Sequence, residues 1–272
     1  MERLQAAIEK AREQREQTAR KRPDLRQKTA LPKVEADVWT SLTPIQINRR
    51  VMRRNRIVAF EGGPPSGPFD MLRTRMLEQA REHGWRRLAV TSPDSMSGKT
   101  TTVANLAFSL QRRADVRTLV LDFDLRRGRL ARMLGQKVDY TMADVIERRI
   151  KFSEHGRRYG ENVIFGLNGS AVRNPSELLQ SQSTTDMLAE LERAYEPDVI
   201  LFDLPPMMAT DDSFGFLKNV DCALLLAAAE RTSMDRIDVA ERQVAELTNV
   251  MGIVLNKSRY TDGAYGYDYG YY

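Results

Sequence analysis

The chain has 272 residues, with 42 Lys and Arg against 37 Asp and Glu and a single cysteine. That length holds one domain of about 200 residues plus extensions, enough for a real core. Cys222 stands alone, so an internal disulfide is excluded. No run approaches the ~20 apolar residues of a membrane span and no signal-peptide core opens the chain, so a cytoplasmic protein is expected.

Charge is unevenly placed. Residues 1–56 carry 15 Lys and Arg against 7 Asp and Glu, and the remainder carries 27 against 30. The basic excess is therefore N-terminal, densest at Arg20-Lys21-Arg22 and around Arg49 to Arg56. Residues 1–22 read as an exposed helix, because apolar positions such as Leu4 and Ile8 are sparse. Lys21 to Thr43, with Pro23 and Pro32, reads as a linker, and a second basic helix is expected from Pro44 to Arg54. This 1–56 extension is either a plain solvated segment or a means of docking to an anionic membrane face or an adaptor. The run Glu61-Gly62-Gly63-Pro64-Pro65 is a strong breaker, followed by a helix from Phe69 that should end near Gly84.

From Arg87 onward, apolar strands alternate with helices. Strands are expected at 87–92, 117–123, 162–167, 198–203, 221–227 and 250–256, and helices at 99–113, 141–149, 175–195 and 233–248. Asn174-Pro175-Ser176-Glu177 is a helix start: Asn to cap, Pro at the first position, and Glu to reach back. Such alternation specifies an α/β fold, a mostly parallel doubly wound sheet covered on both faces, spanning residues 57–257. His83 and His155, in polar sequence, offer no metal-ligand spacing, and Cys222 sits in a strand interior as packing.

The most informative stretch is Ser92-Pro93-Asp94-Ser95-Met96-Ser97-Gly98-Lys99-Thr100-Thr101. It follows a strand and opens a helix, where backbone N–H groups and the helix dipole face an anion. The Gly-x-x-x-x-Gly-Lys-Ser/Thr pattern is met except that Pro93 replaces its first glycine. In this reading Ser97, Gly98, Lys99, Thr100 and Thr101 hold nucleotide phosphates, Lys99 reaches the β/γ-phosphates, and the Thr100 hydroxyl ligates Mg²⁺. Two further strands end in carboxylates: Asp122 and Asp124 after Thr118-Leu119-Val120-Leu121, and Asp203 after Val199-Ile200-Leu201-Phe202. Parallel strands deliver their carboxyl ends to one crevice, so these acids should gather around a Mg²⁺–nucleotide.

The tail, residues 258–272, is of another kind. Tyr260, Tyr265, Tyr267, Tyr269, Tyr271 and Tyr272 are six of the nine tyrosines, interleaved with Gly and with Asp262 and Asp268. Single-stranded nucleic acid would call for interleaved Arg or Lys, so no nucleic acid is expected there. The composition suits presenting phenol hydroxyls to an active site.

Together these residues resemble the cytoplasmic kinase domain of bacterial tyrosine autokinases of capsule and exopolysaccharide biosynthesis, in the stand-alone form. The resemblance covers about residues 57–272: the Thr91 to Thr102 loop, Leu121-Asp122-Phe123-Asp124-Leu125-Arg126-Arg127, Asp203-Leu204-Pro205-Pro206, Asn174 to Leu179, Gly252 to Lys257, and the tyrosine cluster. It implies ATP- and Mg²⁺-dependent autophosphorylation in trans of the six tail tyrosines. Lys99 would neutralise the transferred phosphoryl, and Thr100, Asp124 and Asp203 would surround Mg²⁺. Asp122 would take the phenol proton, and Asn256 would contact adenine. It further implies a membrane-bound chain-length regulator as partner, a homo-oligomer, a cognate tyrosine phosphatase, and peripheral association with the inner membrane through that partner. The chain departs from the family at Met96, where a loop glycine is usual, and at Ser97, where an acid is usual. It also departs at Gly67 and Asp70, so that only Arg73 fits the ring-forming helix motif. Two other readings remain open on the residues: an ATP-binding regulatory partner with weak or no transfer, and a partitioning or cell-positioning ATPase using its basic N-terminus on DNA.

Overall fold

Side-chain alternation along the central strands builds the molecule. The computed structural model describes residues 38–259. In β3 (Thr118–Asp122) Leu119 and Leu121 enter one apolar cluster and Val120 the other. In β6 (Val199–Asp203) Ile200 and Phe202 enter the first cluster, and Val199 and Leu201 the second. Because each strand feeds a core on both faces, helices must cover both. The first face is covered by α5 (Met142–Ile146), α8 (Gln182–Tyr195), α9 (Asp212–Leu217) and α10 (Met234–Ala245), and the second by α1 (Arg49–Arg54), α2 (Gly67–His83), α3 (Lys99–Gln111) and α4 (Arg129–Met133). The remaining helices are α6 (Phe152–His155) and α7 (Pro175–Leu179).

With β1 (Thr43–Pro44), β2 (Arg87–Thr91), β4 (Arg157–Tyr159), β5 (Val163–Gly166), β7 (Cys222–Ala228) and β8 (Asn249–Asn256), the strands form one eight-stranded sheet ordered β1-β4-β5-β3-β6-β2-β7-β8. Only the β4–β5 pairing is antiparallel. The expected strands are found within a residue of their expected ends. Strand β2 lies between β6 and β7, so the loop after β2 emerges at the centre of the carboxyl edge, beside the ends of β3 and β6.

Several expectations are corrected. Residues 38–43, read as linker, are built into the fold: Trp39 and Leu42 are buried and β1 pairs with β4. The indole Nε1 of Trp39 donates to Tyr195 O at 2.9 Å. The basic helix spans only 49–54, because Asn48 caps it, accepting from Val51 N. The helix expected over 141–149 ends at Ile146, just before Arg148 adopts φ +61°. The helix expected over 175–195 is two, because Ser181 turns extended and caps α8 through Thr184 N. Asn174 does not cap α7 as expected: it is left-handed (φ +48°) and its side chain makes no capping bond. His155 is buried, not polar in setting, with Nε2 2.8 Å from Leu167 O. The helix expected at 1–22 and the tail tyrosines lie outside the described residues. No helix among the described residues is long and apolar enough to cross a membrane.

Candidate active site

The loop between β2 and α3 is shaped from its rim. Gly98, the residue before α3, has φ +96°, and a Cβ there would lie 2.2 Å from Asn256 Nδ2, so glycine is required. Met96 is also left-handed at φ +65°, with its side chain exposed. Asn256 Nδ2 donates to Ser97 O (2.8 Å), and Lys257 Nζ donates to Met96 O (2.6 Å). Ser97 Oγ donates to Asp94 O (3.0 Å). With these carbonyls engaged at the rim, the loop N–H groups are the backbone partners left for an anion at the start of α3.

Lys99 is buried, and its Nζ donates to Ser92 Oγ at 2.8 Å. Burial lowers its pKa, while the charges of Asp203 and Asp124 oppose that change. Thr100 follows it, half-buried, and Thr101 comes next, its carbonyl accepting from Asn105 Nδ2 at 2.8 Å.

The strand-end acids gather as the spacing predicts. Asp122 and Asp203 face each other in register on β3 and β6. Both are fully buried and Asp124 is nearly so. Asp122 Oδ2 accepts from Leu130 N (3.2 Å) at the start of α4, whereas Asp122 Oδ1, Asp124 Oδ1 and both carboxylate oxygens of Asp203 have no hydrogen-bond partner. Burial pushes Asp203 up to about 7, against the pull of the Thr100 hydroxyl and the Lys99 ammonium. Burial, then the charges of Asp203 and Asp124, push Asp122 well above the ordinary carboxylate range. Asp124 is raised by burial. Buried acids without donors are expensive unless a cation meets them. Among the described residues no cluster of three His, Cys, Asp or Glu side chains could hold a metal by itself. A divalent ion here would therefore lean on one or two carboxylates, a hydroxyl and substrate oxygens, the pattern of Mg²⁺.

Asn256 is drawn into the rim of the loop: its Nδ2 meets Ser97 O and its Oδ1 accepts from Lys257 N at 2.8 Å. Sequence reasoning missed three contributors. Lys257 was read only as the end of a family segment, with no role at the loop. Arg236 pairs with Asp94 of the loop, and no motif marks that contact. Asp212, buried, receives Arg126 Nε (2.7 Å) and Nη2 (2.9 Å), and Ser176 Oγ donates to it. Burial alone would raise the Asp212 carboxyl, but those donors hold it below its ordinary value. The Asn174–Glu177 segment is thus a brace for the loop after β3 through Ser176.

A phosphate loop after β2, with acids at the ends of the two strands on one side of it, β6 and β3, defines a P-loop nucleotide-binding protein. The model of the CobQ/CobB/MinD/ParA nucleotide binding domain matches residues 88–265. The chain is 30% identical over 183 residues to the tyrosine-protein kinase CpsD of Streptococcus pneumoniae serotype 4, covering 66% of this chain and 79% of that protein. It is 28% identical over 188 residues to the tyrosine-protein kinase wzc of Salmonella typhi, covering 68% of this chain but 26% of that longer protein. The kinase domain of the Escherichia coli tyrosine kinase ETK superposes with a TM-score of 0.68 at 21% identity, over 90% of this chain and 89% of that one. The chain belongs to the CobQ/CobB/MinD/ParA nucleotide-binding domain family, in its bacterial tyrosine-kinase branch. These relatives favour the kinase reading over the partitioning ATPase.

Proposed function

We propose that the chain is an ATP- and Mg²⁺-dependent protein-tyrosine kinase of exopolysaccharide synthesis that phosphorylates its own tail. The observation that carries the reading is Asp203: buried beside Lys99 and Thr100, with neither carboxylate oxygen bonded, at the end of the strand next to the phosphate loop. The family relatives named as tyrosine-protein kinases, and the six tail tyrosines, supply the acceptor.

The loop N–H groups and Lys99 bind and orient the triphosphate, with Ser97, Gly98, Thr100 and Thr101 in the cradle. Thr100, Asp124 and Asp203 are the residues to hold Mg²⁺, which when bound neutralises phosphate charge. A tail phenol oxygen attacks the γ-phosphorus. The new O–P bond forms as the bond to the β–γ bridging oxygen breaks, and ADP leaves with that electron pair. Asp122, whose carboxyl burial and the neighbouring acids hold well above the ordinary range, is the acceptor of the phenol proton. A phenol of pKa ~10 stays protonated at neutral pH, so a raised carboxylate is the better base.

A membrane-bound chain-length regulator is the partner that this reading calls for, with the kinase peripheral at the inner membrane as a homo-oligomer and a tyrosine phosphatase resetting the tail. Met96, left-handed where the family has glycine, favours a second reading, a nucleotide-binding regulator with slow transfer. Full-length protein incubated with radiolabelled ATP and Mg²⁺, followed by mass spectrometry of the tail, separates them. Label on tail tyrosines that disappears in Lys99→Met supports the kinase; nucleotide binding without label supports the regulator.

A further inference from the structure

The end of β8 lies against the phosphate loop. A Cβ on Gly98 would lie 2.2 Å from Asn256 Nδ2 and 3.9 Å from Lys257 Cε. Two left-handed residues that carry side chains meet across this seam, Met96 at φ +65° in the loop and Lys257 at φ +63° just after β8. Such backbone is costly for any residue with a Cβ and persists only where the surroundings over-determine it. At Lys257 two bonds fix the turn: its N–H donates to Asn256 Oδ1 at 2.8 Å, and Asn256 O accepts from Ala229 N at 2.8 Å. At Met96 the side chain is exposed and adds little packing. What meets that residue is Lys257 Nζ, donating to Met96 O at 2.6 Å.

That bond sets a direction. In a trans peptide the C=O and the following N–H point opposite ways. Lys257 draws the Met96 carbonyl to the rim, so the Ser97 N–H of the same peptide unit turns towards the anion seat at the start of α3. Asn256 does the same one unit further on: its Nδ2 holds Ser97 O at 2.8 Å, which turns the Gly98 N–H inward. A Met96 left to itself would relax to right-handed backbone and rotate the first of these units out of line. The ammonium opposes that relaxation with a charge-assisted bond, stronger than a neutral donor would make.

We propose that Lys257 is a positioning residue of the phosphate loop: through Met96 O it holds left-handed backbone at a residue with a side chain, and so aims the Ser97 N–H at the nucleotide phosphates. This rests on the nucleotide-binding part of the kinase reading and adds to it a residue from outside the phosphate motif. Lys257 acts through the backbone of Met96 and not on a phosphate. Its effect therefore depends on which residue stands at position 96.

The test is a double-mutant cycle on full-length protein, with ATP affinity at fixed Mg²⁺ read by titration calorimetry and Tm measured on the same samples. Lys257→Met is expected to weaken ATP binding by about fivefold or more. Lys257→Arg keeps a cationic donor and should cost no more than about twofold. In a Met96→Gly background left-handed backbone carries no steric penalty, so adding Lys257→Met should change affinity by less than about twofold. Equal losses in the two backgrounds overturn the proposal, because Lys257 would then act other than through residue 96. Undiminished affinity in Lys257→Met overturns it as well. Lys257 is exposed, so Tm should hold across the set; a fall in Tm that tracks the lost affinity would give the residue a merely structural role and refute positioning. Binding is read without phosphoryl transfer. A wild type that shows this dependence on Lys257 yet labels no tyrosine would sink the kinase reading and leave the positioning role standing.

Discussion

Asp122 and Asp203 stand opposite one another on adjacent parallel strands, both fully buried, with three of their four carboxylate oxygens unbonded. The pair titrates as a unit, and its raised pKa values fix the sign of a pH effect. Asp203 moves from an ordinary 3.8 to about 7 in the fold, so between those values the native state holds more protons than the unfolded one. Stability of the metal-free protein is therefore greatest below the ordinary pKa and falls as pH rises through about 7. Calorimetry in chelator should show Tm dropping between pH 5.5 and 8, and Asp203→Asn should flatten that slope. A Tm that rises over this interval would refute the assignment. By the same linkage, Mg²⁺ affinity should increase over the interval.

The contact between Gly98 and Asn256 leaves no space for a methyl group. Gly98→Ala would put a side chain into left-handed backbone, at roughly 1–2 kcal/mol, and force Asn256 off Ser97 O. ATP affinity measured by titration calorimetry should fall by about tenfold or more. Adding Asn256→Ala should recover part of it. Undiminished affinity in Gly98→Ala would show that the loop does not need this geometry.

Asp122 and Asp124 should separate by kinetics. Asp122→Asn removes the proposed proton acceptor, so kcat for tail phosphorylation should fall by about a hundredfold with the KM for ATP little changed. Asp124→Asn removes a Mg²⁺ contact, so its loss should be partly overcome by raising Mg²⁺. If extra Mg²⁺ rescues Asp122→Asn instead, the two roles are exchanged.

Cys222 is buried at the start of β7, between β2 and the edge strand β8, and burial pushes its thiol up to about 12. At pH 8 the folded protein should resist iodoacetamide, while protein in denaturant labels fully. Fast labelling of the native state would mean that β7 opens.

The central strands were legible because their apolar runs are long and end in Gly or Asp, and both signals are local. The three site aspartates were found for the same reason: parallel strands deliver their ends to one crevice whatever follows. Residues 38–43 were not, since Trp39 is satisfied by a carbonyl far along the chain, at Tyr195, and no periodicity announces a two-residue strand. The split at Ser181 was missed because apolar spacing continues across it; only the serine's capping bond reveals the break. Likewise Asp212 and Arg236 matter through partners distant in sequence, which spacing cannot disclose.

Trp39 lies edge-on to Tyr195 with ring centroids 6.1 Å apart, under the Arg117 guanidinium, whereas Trp85, the second of the two tryptophans, stacks on the exposed His83. The molecule thus carries its own pair of optical gauges. Emission from the first reports whether the strap at residues 38–44 is seated, and emission from the second reports whether the stacked ring at the far end of α2 stays in place, with no dye attached.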